Sequence, residues 1–125
     1  MASRTIRSTS VAGARDHIVT ATELPAAVKA RIVTDSRTVT EAARTEWPLR
    51  GIAQDITEQT RRVSVPALVV AGENDQVEPV DVLRDNLVPY LPRAELVVVA
   101  HTGHLIPLEA PAGLVDALTA FAPAA

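Results

Sequence analysis

At 125 residues, 47% hydrophobic and 22% charged, the chain has the size and composition of one globular domain rather than of a disordered segment. The net charge is −3, and all but one of the 12 basic residues are arginines spread from Arg4 to Arg93, which excludes the basic stripe of a nucleic-acid binder. The absence of cysteine excludes a disulfide framework and thiolate metal sites. The longest apolar run, Pro66 to Ala71, is too short for a signal-peptide core or a membrane span. These features lead us to expect a soluble cytoplasmic protein with neither nucleic acid nor membrane as partner.

Only Trp47, Tyr90 and Phe121 are aromatic, so burial must come from Ala, Val, Leu and Ile packed between backbone layers, a composition that leans towards α/β. Residues 1–16 are rich in Ser, Thr, Arg and Gly without periodicity and read as an irregular segment. Residues 17–62 read as helical. From Pro25 to about Thr34, Ala26, Val28, Ile32 and Val33 fall near helical spacing, with Pro25 suited to the first position. Thr38-x-x-Glu41 has the form of a capping box opening a second helix, which Pro48 and Gly51 should end near Trp47.

The character changes at Val63, where a unit spanning 63–125 begins. Val65 to Gly72 is an apolar, β-branched run closed by Gly, the pattern of a strand buried on both faces of a parallel sheet. Pro79 opens a helix over 79–88 through Val80, Leu83 and Leu87, ended by Pro89 and Pro92. Leu96 to Ala100 repeats the strand pattern, and a last helix runs from about Leu108 through Leu114, Val115 and Leu118 to Phe121. Strand, helix, strand, helix is the order of right-handed crossover units.

Ligands of open parallel sheets bind beyond the carboxyl ends of the strands, and two polar clusters fall there. Gly72-Glu73-Asn74-Asp75-Gln76-Val77-Glu78-Pro79 leaves the first strand, and His101-Thr102-Gly103-His104-Leu105 leaves the second. With the strands adjacent, Asp75 and His104 come within ~3 Å of one another. A carboxylate accepting the Nδ1 proton of a histidine fixes its tautomer and leaves Nε2 as a general base for a hydroxyl nucleophile.

Through G-x-x-D-x-x-x-P at Gly72 to Pro79 and G-H-L-x-x-L-E-x-P at Gly103 to Pro111, the chain resembles the α/β-hydrolase family over roughly residues 63 to 121. The family order is nucleophile, acid, histidine, so the resemblance implies that Asp75 is the triad acid and His104 the triad base. The stretch from Asp16-His17-Ile18 to Ile56-Thr57 resembles the second half of the family's helical cap, which implies a pocket lined by Trp47 and Leu105. The implied fold class is α/β, the C-terminal part of an α/β-hydrolase fold: two parallel strands with flanking helices, preceded by cap-like helices.

The nucleophile elbow G-x-S-x-G is absent. Ser3, Ser8, Ser10, Ser36 and Ser64 do not follow a buried strand, and Ser64 belongs at the wrong end of the sheet. The competing structural readings are that Asp75 caps the helix near Pro79, for which Glu78 is the stronger candidate, and that His104 is a polar loop residue. His101 and His17 are given no role. His101, His104, Asp75 and Glu109 as a metal site are set aside, because the loop lacks helical i, i+4 geometry, and no cofactor is expected. Two functions compete: a serine-type ester or related acyl hydrolase whose chain begins late and is inactive alone, its small-molecule substrate handled by the full-length parent, or a non-catalytic module that binds a partner. A sheet of two strands leaves open edges, so marginal stability is expected, with association to a complementary upstream segment or to a second copy.

Overall fold

The computed structural model describes residues 18–122; the expectations for 1–16 and for His17 lie outside them. Helix α1 spans Ala26–Arg37 and α2 spans Glu41–Leu49. A 3-10 turn at Gly51–Ala53 and a single turn, α3 at Thr57–Thr60, lead to the sheet. Strand β1 (Ala67–Gly72), α4 (Val80–Asn86) and β2 (Ala94–Val99) follow, and α5 (Ile106–Glu109) and α6 (Pro111–Phe121) close the described chain.

The two strands read from the apolar runs form, but burial on both faces does not hold for β2, where Glu95 and Val98 are exposed. β1 and β2 are adjacent and parallel, with Ala67 opposite Ala94 and Gly72 opposite Val99, so both strands end at the same edge and the loops that leave them lie side by side. The Ala67 N–H donates to Arg93 O and the Glu73 N–H to Val99 O. Alternation therefore turns the amides and carbonyls of Leu68 and Val70 to the other edge, where no further strand pairs with β1 among the described residues.

Three details differ from the sequence reading. The second helix is capped by Thr40, whose side chain accepts from the Ala43 N–H at 3.2 Å. Thr38 instead ends α1, its hydroxyl donating to Asp35 O. Both are Thr before a helical run, and the pattern alone did not separate an N-cap from the C-cap two residues earlier. Pro48 sits inside the last turn of α2 rather than stopping it before Trp47. The final helix is split at Ala110 (φ −139°, ψ 59°), because the ring of Pro111 disfavours helical geometry in the residue before it and is itself suited to a first helical turn.

The core is small. Leu24, Ala71, Ile106 and Ala117 are the buried hydrophobic residues among those described, while Val98, Val115 and Leu118 are 43%, 58% and 50% exposed. No described helix is long and apolar enough to cross a membrane.

Candidate active site

Each strand delivers one polar loop to the shared edge, and the two loops interlock through the backbone. The Asn74 N–H donates to Thr102 O at 2.9 Å. Thr102 is fully buried, its hydroxyl satisfied by Ala100 O at 2.9 Å. Gly72 is required by this approach, since a Cβ there would lie 2.2 Å from Gly103 O and 2.5 Å from Thr102 O. His101 turns the chain out of β2 in the left-handed region, φ 55°, a conformation histidine tolerates better than most side chains. Its N–H is held by the Glu73 carboxylate at 2.8 Å, and its ring points into solvent.

The interlock sets Asp75 against His104. Asp75 Oδ2 is 2.9 Å from His104 Nδ1, the separation expected of the pair. The carboxylate divides its work, because Oδ1 accepts from the Val77 N–H at 2.8 Å and the Glu78 N–H at 3.0 Å. Those two amides belong to the loop before α4, so Asp75 does not cap that helix. Glu78 is not the cap: α4 begins after Pro79 with no side-chain cap. With Oδ1 locked by two amides, Oδ2 has one orientation to offer, and an ionised carboxylate there makes Nδ1 the protonated ring nitrogen. The Asp75 side chain is 5% exposed and that of His104 38%, so the carboxylate is enclosed while the imidazole is open to solvent. His104 Nε2 has no hydrogen-bond partner among the described residues.

The backbone around His104 is held from a distant part of the chain. Val19 O accepts from the His104 N–H at 2.9 Å and the Leu105 N–H at 3.3 Å. Glu109 Oε2 accepts from the Gly103 N–H at 3.1 Å, and Oε1 from the Ala21 and Thr22 N–H groups at 2.7 and 2.9 Å and the Thr22 hydroxyl at 3.1 Å. Sequence reasoning considered Glu109 only as a metal ligand and missed this role. No signal in the sequence pointed to it, because three of the four donors are backbone groups that residue type does not mark. Among the described residues no group of three or more His, Asp or Glu side chains could hold a metal ion. Glu109 is committed to backbone donors and Asp75 to the loop and to His104.

Of the remaining candidates, Leu105 directly follows the histidine and is half-buried. Trp47 lies on α2, 63% exposed, its ring packed against Gly51. An apolar groove of about 460 Å³ runs between α1 and Leu108, lined also by Ala27, Val28, Arg31, Ile32 and Asp35. A second cleft of about 240 Å³ lies between residues 54–60 and 86–90. Neither is lined by Trp47 or Leu105. Ser36 is tied to Ile32 O within α1, and Ser64 precedes β1, its carbonyl accepting from Arg93. Ser64 is therefore at the opposite end of β1 from Asp75.

This sheet, its crossover helix and the two loops at one edge make the fold that of part of an α/β-hydrolase. No protein-family model matches the chain, and no curated protein matches it. Among solved structures, it is similar to a serine hydrolase involved in carbazole degradation, with TM-score 0.66 and 23% identity over 89% of this chain and 45% of that one. It is also similar to a bacterial membrane phospholipase A described as a virulence factor, with TM-score 0.64 and 22% identity over 83% of this chain and 34% of that one. The chain thus spans less than half the length of either structure.

Proposed function

We propose that the chain supplies the acid and the base of a serine-type hydrolase that cleaves an ester or related acyl bond in a small molecule, and that it is inactive by itself. The observation that carries this reading is the 2.9 Å contact between an enclosed Asp75 and an accessible His104 at the shared end of two parallel strands. In the reaction, Nε2 takes the proton of a nucleophilic hydroxyl as it attacks the carbonyl and returns that proton to the leaving group. Asp75 holds the ring and offsets the charge of the imidazolium formed in between. The nucleophile and the oxyanion donors would come from a segment outside this sequence, because no G-x-S-x-G occurs in it. Leu105 and Trp47 would contribute to the substrate pocket once that segment is in place.

The DNA upstream of the Met1 codon and activity assays test this together. An elbow motif behind an apolar strand, and ester hydrolysis by the longer product that falls at least ~10³-fold in His104→Ala, are expected. The 125-residue chain should show no turnover above background, since a base without a nucleophile and an oxyanion hole has nothing to activate. Robust turnover by this chain, abolished in His104→Ala, would overturn the proposal of inactivity. Unrelated upstream sequence would favour the second reading, a module that binds a complementary segment or a second copy, which is supported by the open edge at Leu68 and Val70 and by the exposed Val98, Val115 and Leu118.

A further inference from the structure

We propose that Glu109 is a positioning residue for His104, coupling the docking of the Val19–Thr22 segment to the formation of the Asp75–His104 pair. The proposal rests on the reading of His104 as the base. It starts from three consecutive amides. The N–H groups of Gly103, His104 and Leu105 all donate to acceptors outside their own loop, Gly103 to Glu109 and the other two to Val19 O. Glu109 is the junction, because the carboxylate that holds Gly103 through Oε2 holds Ala21 and Thr22 through Oε1.

Four donors on one carboxylate, two of them backbone groups from a segment more than 80 residues away in sequence, form a charge-assisted cluster of the stronger kind of hydrogen bond. The approach is close enough to need a glycine: a Cβ on Gly103 would stand 2.6 Å from Ala21 N and 3.0 Å from Glu109 Oε2. Just beyond, Leu24 is buried and α1 begins. The loop of His104 is therefore gripped from two sides, by β1 through Asn74 and Thr102 and by the 19–22 segment through Glu109 and Val19. Release of the second grip frees the backbone on both sides of His104, and the ring then has only Asp75 Oδ2 to orient it. In a hydrolase this makes the seating of the cap-like helices a condition for an aligned base.

A residue that merely stabilised the fold would change unfolding without touching the imidazole, so the test reads the ring. In the full 125-residue chain with 15N-labelled histidine, long-range NMR spectra of the neutral ring report its tautomer, and amide exchange reports opening at Gly103 and His104. We expect one tautomer, Nδ1–H, in the unmodified chain. Glu109→Ala should convert it to a mixture and raise exchange at Gly103 and His104 by about tenfold or more, as loss of charge-assisted bonds implies. Glu109→Gln, which keeps an acceptor, should restore part of both. A single tautomer and exchange within about twofold in Glu109→Ala would overturn the proposal. Should Glu109→Ala not fold, Glu109→Gln and Thr22→Val must each shift both readouts in the same direction by a smaller amount, and no shift in either would overturn it. Asp75→Asn separates the two readings. If it leaves the ring unchanged, the acid–base reading fails and this one with it, whereas a switched tautomer in Asp75→Asn beside an unchanged one in Glu109→Ala removes only the role of Glu109.

Discussion

Replacing Gly72 by alanine tests whether the interlock of the two loops carries stability as well as geometry. A Cβ at this position would meet Gly103 O at 2.2 Å and Thr102 O at 2.5 Å, and both are backbone atoms that no rotamer change can move. An ordinary C···O contact needs about 3.3 Å, so roughly 1 Å must open between β1 and the histidine loop. A shift of that size carries the Asn74 N–Thr102 O and Asp75–His104 bonds, each 2.9 Å, beyond hydrogen-bonding reach. One neutral bond at ~1 kcal/mol and one charged bond at ~1.5–3 kcal/mol, less the ~0.4–1 kcal/mol that alanine gains by restricting the unfolded chain, give a net loss of ~1.5–3.5 kcal/mol. Gly113→Ala is the control. Its Cβ would meet side chains alone, Val99 Cγ1 at 3.1 Å and Ala110 Cβ at 3.9 Å, inside a helix where alanine is favoured by about 0.5–1 kcal/mol, so it should be neutral or mildly stabilising. Urea denaturation followed by far-ultraviolet circular dichroism measures both. Gly72→Ala within ~0.5 kcal/mol of the parent, the range of an ordinary surface change, would refute the argument that the loops bear on each other through this glycine.

The open edge of β1 and the exposed Val98, Val115 and Leu118 should make the purified chain associate with rising concentration. Sedimentation velocity is expected to show this, and Val115→Gln with Leu118→Gln to reduce it at a stability cost below about 1 kcal/mol, since both side chains are half or more exposed. Thr40→Ala should cost ~1 kcal/mol of stability through loss of the α2 cap, while Thr38→Ala costs less than half of that in the same denaturation assay. Asp55 is held below its ordinary value of 3.8 by bonds from the Thr57 side chain and N–H. Its contribution is therefore present above pH 3.8 and lost only as pH falls through the lower folded value. A carboxyl NMR titration should find its midpoint below 3.8, and Asp55→Asn should remove that part of the acid dependence.

What the sequence made legible was what depends on short-range pattern. The apolar runs at 65–72 and 96–100 identified both strands because a doubly covered parallel strand needs apolar residues without alternation. Glycine and polar residues directly after each run located the loops, and a single intervening helix made the strands neighbours, which placed Asp75 beside His104. Less was legible where two turn residues of the same kind competed, as Thr38 and Thr40 did for the cap of α2. The contacts made by Glu109 were not legible at all. They join residues 21, 22 and 103 through backbone amides, and backbone donors leave no trace in residue type. Glu73, which steadies the left-handed turn at His101, was hidden for the same reason: its partner is an N–H that every non-proline residue possesses.

The distribution of burial links these observations. Among the described residues the buried positions are Leu24, Ala71, Gly72, Asp75, Thr102, Gly103, Ile106 and Ala117. Apart from Ala117 on α6, they lie at the carboxyl end of the sheet, in the loops that leave it, at the start of α5, or in the 19–24 segment. The protected part of this chain is therefore the floor beneath His104, while the sheet's open edge and much of the outer face of α6 remain exposed. In a domain with a large separate core, polar bonds around a catalytic pair can be altered with little effect on folding. Here the amides that fix Asp75 and His104 are the same ones that join β1, β2 and the 19–22 segment, so a loss of alignment brings a loss of stability with it. Separating them requires readouts local to the imidazole, because any substitution that loosens this floor will register in a global unfolding measurement whether or not it moves the ring.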